Sequence, residues 1–141
     1  MAYTTSAEKR RQIKEAVLHE IAPGVSCHVC GRRRGATYLF GSIRVHARFC
    51  AQGIGHYKFN INPSTLNADY ELWICGKTDH WYLIPVHVIQ EMYDHPDAYP
   101  DRRHPEIRVV TVDATAHSVA YAAPSVKRSL HQYYQAKLGM A

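Results

Sequence analysis

Between Ile21 and Ala68 the chain contains no aspartate and no glutamate. The same stretch carries Arg32, Arg33, Arg34, Arg44, Arg48 and Lys58, with His28, His46 and His56. No apolar run is long enough to span a bilayer, and the N-terminus "MAYTTSAEKRRQIKEA" lacks the apolar core of a signal peptide. A soluble, cytoplasmic protein with no membrane partner is therefore expected. Low-complexity tracts and internal repeats are missing too, which argues against disorder and solenoids. There is no glycine-rich phosphate loop, no GxSxG and no HExxH, so the common nucleotide-binding, serine-hydrolase and zinc-protease signatures are excluded.

What is present is one domain's worth of sequence. Its 141 residues are enough to bury a core, and the net charge is +5. That charge is unevenly spread, since the region after Ala68 carries slightly more acids than bases. A one-signed segment inside an otherwise balanced chain attracts polyanions, phosphate backbones first among them.

Periodicity places the elements. "TTSAEKRRQIKEAVLHEIAPG" reads as a helix with a Thr5–Glu8 capping box, an apolar stripe of Ile13, Val17 and Ile21, and a Pro23-Gly24 stop. "VSCHVCGRRRG" reads as a loop and "ATYLF" as a strand. Residues 43–50 and 56–61 both alternate with period two around "AQGIG", which predicts an antiparallel hairpin. "DYELWICG" and "HWYLIP" add strands, the second apolar enough to be central. "PVHVIQEMYDHP" reads as a short helix opened by Pro85, and "EIRVVTVDA" as a late strand. "APSVKRSLHQYYQAKLG" reads as a closing helix whose Val126, Leu130, Tyr133, Tyr134 and Leu138 dock on the sheet, with a homodimer seam as the alternative. The class is α+β: an N-terminal helix, a central mixed sheet with a long hairpin, and a C-terminal helix.

In that hairpin Arg44, His46 and Arg48 share a face with His56, Lys58 and Asn60. Cross-strand neighbours lie about 5 Å apart, so these cations would repel one another unless an anion covers them. The functional reading is a nucleic-acid groove, with Arg32, Arg33 and Arg34 of "GRRRG" following the backbone nearby. The plain alternative is a solvated sheet face. "SCHVCGR" has the spacing of a zinc knuckle, and Cys50, with His46 or His56, is a conceivable completion beside Cys27 and Cys30. Ordinary thiols are the competing reading, and Cys75 sits in an apolar strand.

The run "IRVHA", "YKFNI", "DYELWICG" and "WYLIP" after a leading helix resembles the PD-(D/E)XK, restriction-endonuclease-like superfamily over roughly residues 5–93. The resemblance implies a nuclease core in which paired acids hold Mg²⁺ against the scissile phosphate. Here the acidic-x-Lys slot is Arg44-Val45-His46, leaving Glu20 as an accessory acid and Asp69, Glu71 or Asp79 as acids from elsewhere. The expectation is a nucleic-acid-binding protein of nuclease-like fold, DNA ahead of RNA, with the usual metal chemistry lost. An active Mg²⁺ endonuclease is one alternative. Another is a metal-independent ribonuclease using His46 and His56 as base and acid, with Lys58 or Arg44 stabilising the phosphorane. A zinc-stabilised module binding an acidic protein comes from a different class. The pairs in "KTDHW" and "HPDAYPDRRHP" read as loop solvation.

Overall fold

The computed structural model describes residues 6–25, 27–30, 36–51 and 55–139. The leading helix α1 (Ser6–Ile21) forms where its stripe predicts, with Val17, Leu18 and Ile21 buried. Gly24 ends the segment at φ +77, a left-handed conformation that suits glycine. Thr5 of the expected capping box lies outside the described residues.

Among the described residues nine strands follow in two sheets. The first sheet contains β1 (Cys27–Cys30), β2 (Ala36–Phe40), β3 (Ile43–Cys50), β5 (Tyr70–Cys75) and β6 (Trp81–Pro85). The second contains β4 (His56–Ile61), β7 (Arg108–Asp113), β8 (Ser118–Ala122) and β9 (Val126–Ser129). The first is mixed because β3 and β5 run parallel while its other pairs are antiparallel; the second is wholly antiparallel. With helix α2 (Val86–Tyr93) directly after β6, the class is α+β, as expected.

The expected β3–β4 hairpin does not form. β3 pairs with β2 and β5, and β4 crosses to pair with β7. Both strands alternate, but alternation reports a half-buried strand and says nothing of its partner. The polar sets of β3 and β4 therefore lie on different sheets.

One face of the first sheet carries α1, packed over Val45, Ala47, Leu72 and Ile74. The opposite face packs on the second sheet and α2, through Trp73, Cys75, Tyr82 and Ile84 against Phe59, Ile61, Val110 and Val112. The Phe59 and Trp73 rings stack across this seam, centres 5.0 Å apart and 6° from parallel. The first sheet is thus packed on both faces at β5 and β6, while Arg44 at the start of β3 is exposed. β6 is an edge strand rather than a central one; a bridge from Tyr82 to Tyr134 covers part of its free edge.

No closing helix exists over 124–139. Val126–Ser129 is strand β9, followed by a single helical turn at His131–Tyr133 and extended chain. The apolar spacing there resembles a helix stripe, yet β-branched Val126 pairs with Ala122, and Leu130 and Leu138 still reach the core. The expected docking therefore occurs without the helix. β9, at the edge of the second sheet, was hidden by that misreading, β1 by the loop assignment of "VSCHVCGRRRG", and β8 was assigned no element.

Candidate nucleic-acid interface

Of the β3 half of the expected groove, His46 is turned away from solvent and Arg48 largely so. His46 and Glu71 are register partners across the parallel β3–β5 pair, and His46 Nδ1 lies 2.6 Å from Glu71 Oε2. Both side chains are fully buried (1% and 0% exposed), and Arg48 approaches the other carboxylate oxygen at 4.0 Å. The carboxylate missing from the local sequence is delivered by the neighbouring strand. Arg44 is exposed, but it is on the first sheet, tied there by its N–H donating to the Asp69 carboxylate at 2.8 Å. His46 as a general base or phosphate contact, and Arg44 and Arg48 as partners of β4, are corrected accordingly. Lys14 on α1 has its pKa lowered by burial first, then by the charges of Arg10 and Arg48.

The β4 half survives. Side chains that are register partners in an antiparallel sheet point to the same face. The row Lys58–Thr111–Ala120–Lys127 therefore crosses the outer face of the second sheet, flanked by Asn60–Val109 on one side and His56–Asp113–Ser118–Ser129 on the other. Lysines stand at both edges, with small side chains between them. Over the Lys58 edge lies the 94–107 loop, whose Pro100, Asp101, Arg102 and Arg103 close a groove of about 480 Å³ against Lys58, Asn60 and Val109.

That loop is held in place. Val109 N–H donates to the Tyr99 carbonyl at 2.8 Å, Asp101 N–H to Ile107 at 2.9 Å, and Ala123 N–H to Asp97 at 2.9 Å. The Asp101 carboxylate accepts the backbone N–H groups of Arg103 and His104, so it anchors the turn on which both arginines sit. Among the described residues Lys58, Arg102 and Arg103 have no ion pair. Sequence reading did not single out Arg102 and Arg103 because "PDRRHP" reads as a solvated loop; the bridge of Pro100 to Arg108 and the backbone hydrogen bonds of Tyr99 and Asp101 fold it back beside the second sheet.

His56 is exposed, and its Nε2 is 3.6 Å from Asp113. Asp113 also accepts N–H groups from Thr115 and Ala116, and the Ala116 bond is the main reason its pKa is lowered. Just beyond this row, three connections meet. The β5–β6 turn contributes His80, the β7–β8 turn His117, and the segment after β9 His131 and Tyr134. The His117 ring is 5.5 Å from that of His131, 6.4 Å from that of His80 and 4.3 Å from that of Tyr134, centre to centre. Its Nδ1 is 2.7 Å from the hydroxyl of buried Tyr82. His117 has φ +53, a left-handed backbone that is uncommon outside glycine. Burial lowers its pKa, and the charges of His131 and His80 lower it further against an opposing pull from Asp113. Burial also raises the pKa of Tyr82 and of Tyr134.

The remaining expected residues are scattered. Glu20 lines a different cleft of about 460 Å³, which also holds Thr78, Asp79, Gln135 and Lys137. The tight turn a zinc knuckle needs is absent, because Cys27–Cys30 is strand β1 with Cys27 opposite Phe40 and Cys30 opposite Thr37. Cys50 is the register partner of Cys75, whose thiol is pushed up to about 12 by burial first and by Cys50 second, so it remains an un-ionised thiol. Among the described residues no group of three or more His, Cys, Asp or Glu is placed to hold a metal ion. Arg32, Arg33 and Arg34 lie outside the described residues. No described helix is long and apolar enough to cross a membrane. Comparison with protein-family models, curated proteins and solved structures finds no match to this chain.

Proposed function

We propose that the protein binds nucleic acid along the outer face of its second sheet. The carrying observation is the groove in which Lys58, Arg102 and Arg103 stand together with no ion pair among the described residues and Asp101 as the one acid of the lining, on a sheet edge and on a loop fixed by backbone hydrogen bonds. Three cations held this way repel one another, and a phosphate backbone relieves that repulsion while releasing its own counterions. Lys127 continues the positive potential across the sheet.

The outer rows carry Thr111, Ala120, Ser118 and Val109 but no Phe, Tyr or Trp, and the exposed aromatic beside them is Tyr99 of the 94–107 loop. Asn60 and His56 are the side chains of those rows able to touch sugar or base. Binding is therefore largely independent of sequence. The restriction-endonuclease-like core belongs to the same reading, supported by a mixed sheet with α1 on one face, although "YKFNI" lies on the other sheet. Its acidic metal pair has no counterpart in that reading: the matching slot is Arg44-Val45-His46, with His46 engaged by Glu71.

The test is fluorescence anisotropy with labelled single-stranded DNA, duplex DNA and single-stranded RNA over a salt series. Affinity should fall steeply with salt, and Lys58→Glu or Arg102→Glu with Arg103→Glu should weaken all three probes together. An affinity that ignores salt, or is unchanged in these variants, refutes the reading.

A further inference from the structure

We propose that the loop end where His80, His117 and His131 meet Tyr82 and Tyr134 is an acid–base centre that cleaves bound RNA through its 2′-hydroxyl without a metal ion. The proposal rests on the nucleic-acid reading of the adjoining sheet face. His56 is two residues from Lys58 on β4, about 7 Å along the strand, and the row through His56 ends at Ser129, just before His131. A backbone that leaves the basic row and follows the strands past His56 and Asp113 runs toward the three imidazoles.

The cluster has the parts such a centre requires. Loops from both sheets deliver it, and it includes a non-glycine residue in a left-handed conformation, a form of strain that gathers at functional sites. The 2.7 Å contact between His117 Nδ1 and the Tyr82 hydroxyl fixes the ring, and in the tautomer with hydrogen on Nδ1 the Nε2 lone pair is the one that accepts a proton. The groups facing His117 are His131 and His80, Tyr82 and Tyr134, and Asp113 on the preceding strand. Burial and the two neighbouring imidazoles lower its pKa and so favour the neutral form a base has before reaction. His131 is exposed, its N–H held by Ser129 Oγ at 3.3 Å, and suits the acid role. His80 is 3.3 Å through Nε2 from the Ala114 carbonyl and stays outside the proton transfer. The rings are not disposed around a common metal position. Centres 5.5 Å apart allow His117 and His131 to reach different oxygens of one phosphorus.

In the step, His117 Nε2 removes the 2′-OH proton and O2′ bonds to the adjacent phosphorus. The P–O5′ bond breaks, and protonated His131 gives its proton to O5′. The products are a 2′,3′-cyclic phosphate and a 5′-hydroxyl, and solvent re-exchanges the two histidine protons. No oxidant, metal or water is consumed.

The experiment incubates the full chain in excess EDTA with a labelled single-stranded RNA, the same RNA fully 2′-O-methylated, and the matching DNA, reading binding and cleavage in the same samples. RNA alone should be cut, leaving a cyclic phosphate, with a bell-shaped dependence on pH. His131→Ala, and His117→Asn as a change the left-handed backbone tolerates, should each lower the rate about 100-fold or more while RNA affinity is kept. RNA that binds and stays intact overturns this proposal and leaves the binding function standing. Cleavage that EDTA abolishes, that extends to DNA, or that survives both substitutions also overturns it. Absence of binding overturns both.

Discussion

His46 and Glu71 meet across a parallel strand pair at 2.6 Å, each closed off from solvent, with Arg48 Nε 4.0 Å from the second carboxylate oxygen. His46 Nε2, Glu71 Oε1 and Arg48 Nε are buried without hydrogen-bond partners among the described residues. Such a pair is costly to break and cheap to replace as a whole. Glu71→Leu should lower unfolding free energy by about 3–5 kcal/mol in urea titrations. His46→Leu combined with Glu71→Leu should recover most of that loss. If the double variant is as unstable as the single one, the pair is not the unit that matters.

Charge reversal should separate the two sheets. Lys58→Glu should weaken oligonucleotide binding and lower the slope of log affinity against log salt by about 1. Arg44→Glu, an equally exposed change on the other sheet, should leave both unchanged. The readout is anisotropy at several salt concentrations, with thermal unfolding to verify that neither variant is destabilised. Equal losses from both would place the anion elsewhere.

His117 should make stability depend on pH in one direction. Its folded pKa lies below the ordinary value near 6.5, so the unfolded chain binds the proton more readily. Its stabilising contribution is complete above 6.5 and is lost as pH falls through that value toward the folded one. Denaturant midpoints measured at pH 7.5 and 5.5 should therefore drop on acidification, and His117→Asn should reduce the drop. A variant with the same pH dependence as the parent would assign it to another group.

The Phe59–Trp73 stack is the most direct coupling between the sheets. Phe59→Ala should cost about 3–5 kcal/mol. A double-mutant cycle with Trp73→Ala should return about 0.5–1.5 kcal/mol of coupling. Zero coupling, or two separate unfolding transitions, would mean that the sheets melt independently.

Most strands were legible because each alternates or is a short apolar run. β2, β3 and β4 carry the expected bounds, β6 starts one residue later than expected, and Val45, Ala47, Phe59 and Ile61 point inward as expected. Pairing was not legible. Nothing local in 42–62 says that β3 lies beside β5 or that β4 joins β7. The functional reading of 44–48 depended on that choice, since an acid-free segment is unbalanced only when its spatial neighbours are acid-free as well. Glu71 and Asp113 supply the missing carboxylates from other strands. The 124–139 misreading has a different cause: Val126, Leu130 and Leu138 satisfy helical spacing, yet strand pairing with β8 took Val126–Ser129 first. The histidine cluster was invisible because His80, His117 and His131 belong to three separate connections.

The path of the chain between sheets also sets an order of assembly. β4 is made early but has no partner in anything synthesised before β7: Ile61 must wait for Arg108, and His56 for Asp113. Until then Phe59 and Ile61 have no second sheet to complete their burial, and both edges of β4 are open to strangers. A ribosome pausing after α2, or a protease cutting in the 94–107 loop before the second sheet closes, would leave a sticky ribbon. The same loop that presents Arg102 and Arg103 is therefore the joint on which safe folding depends.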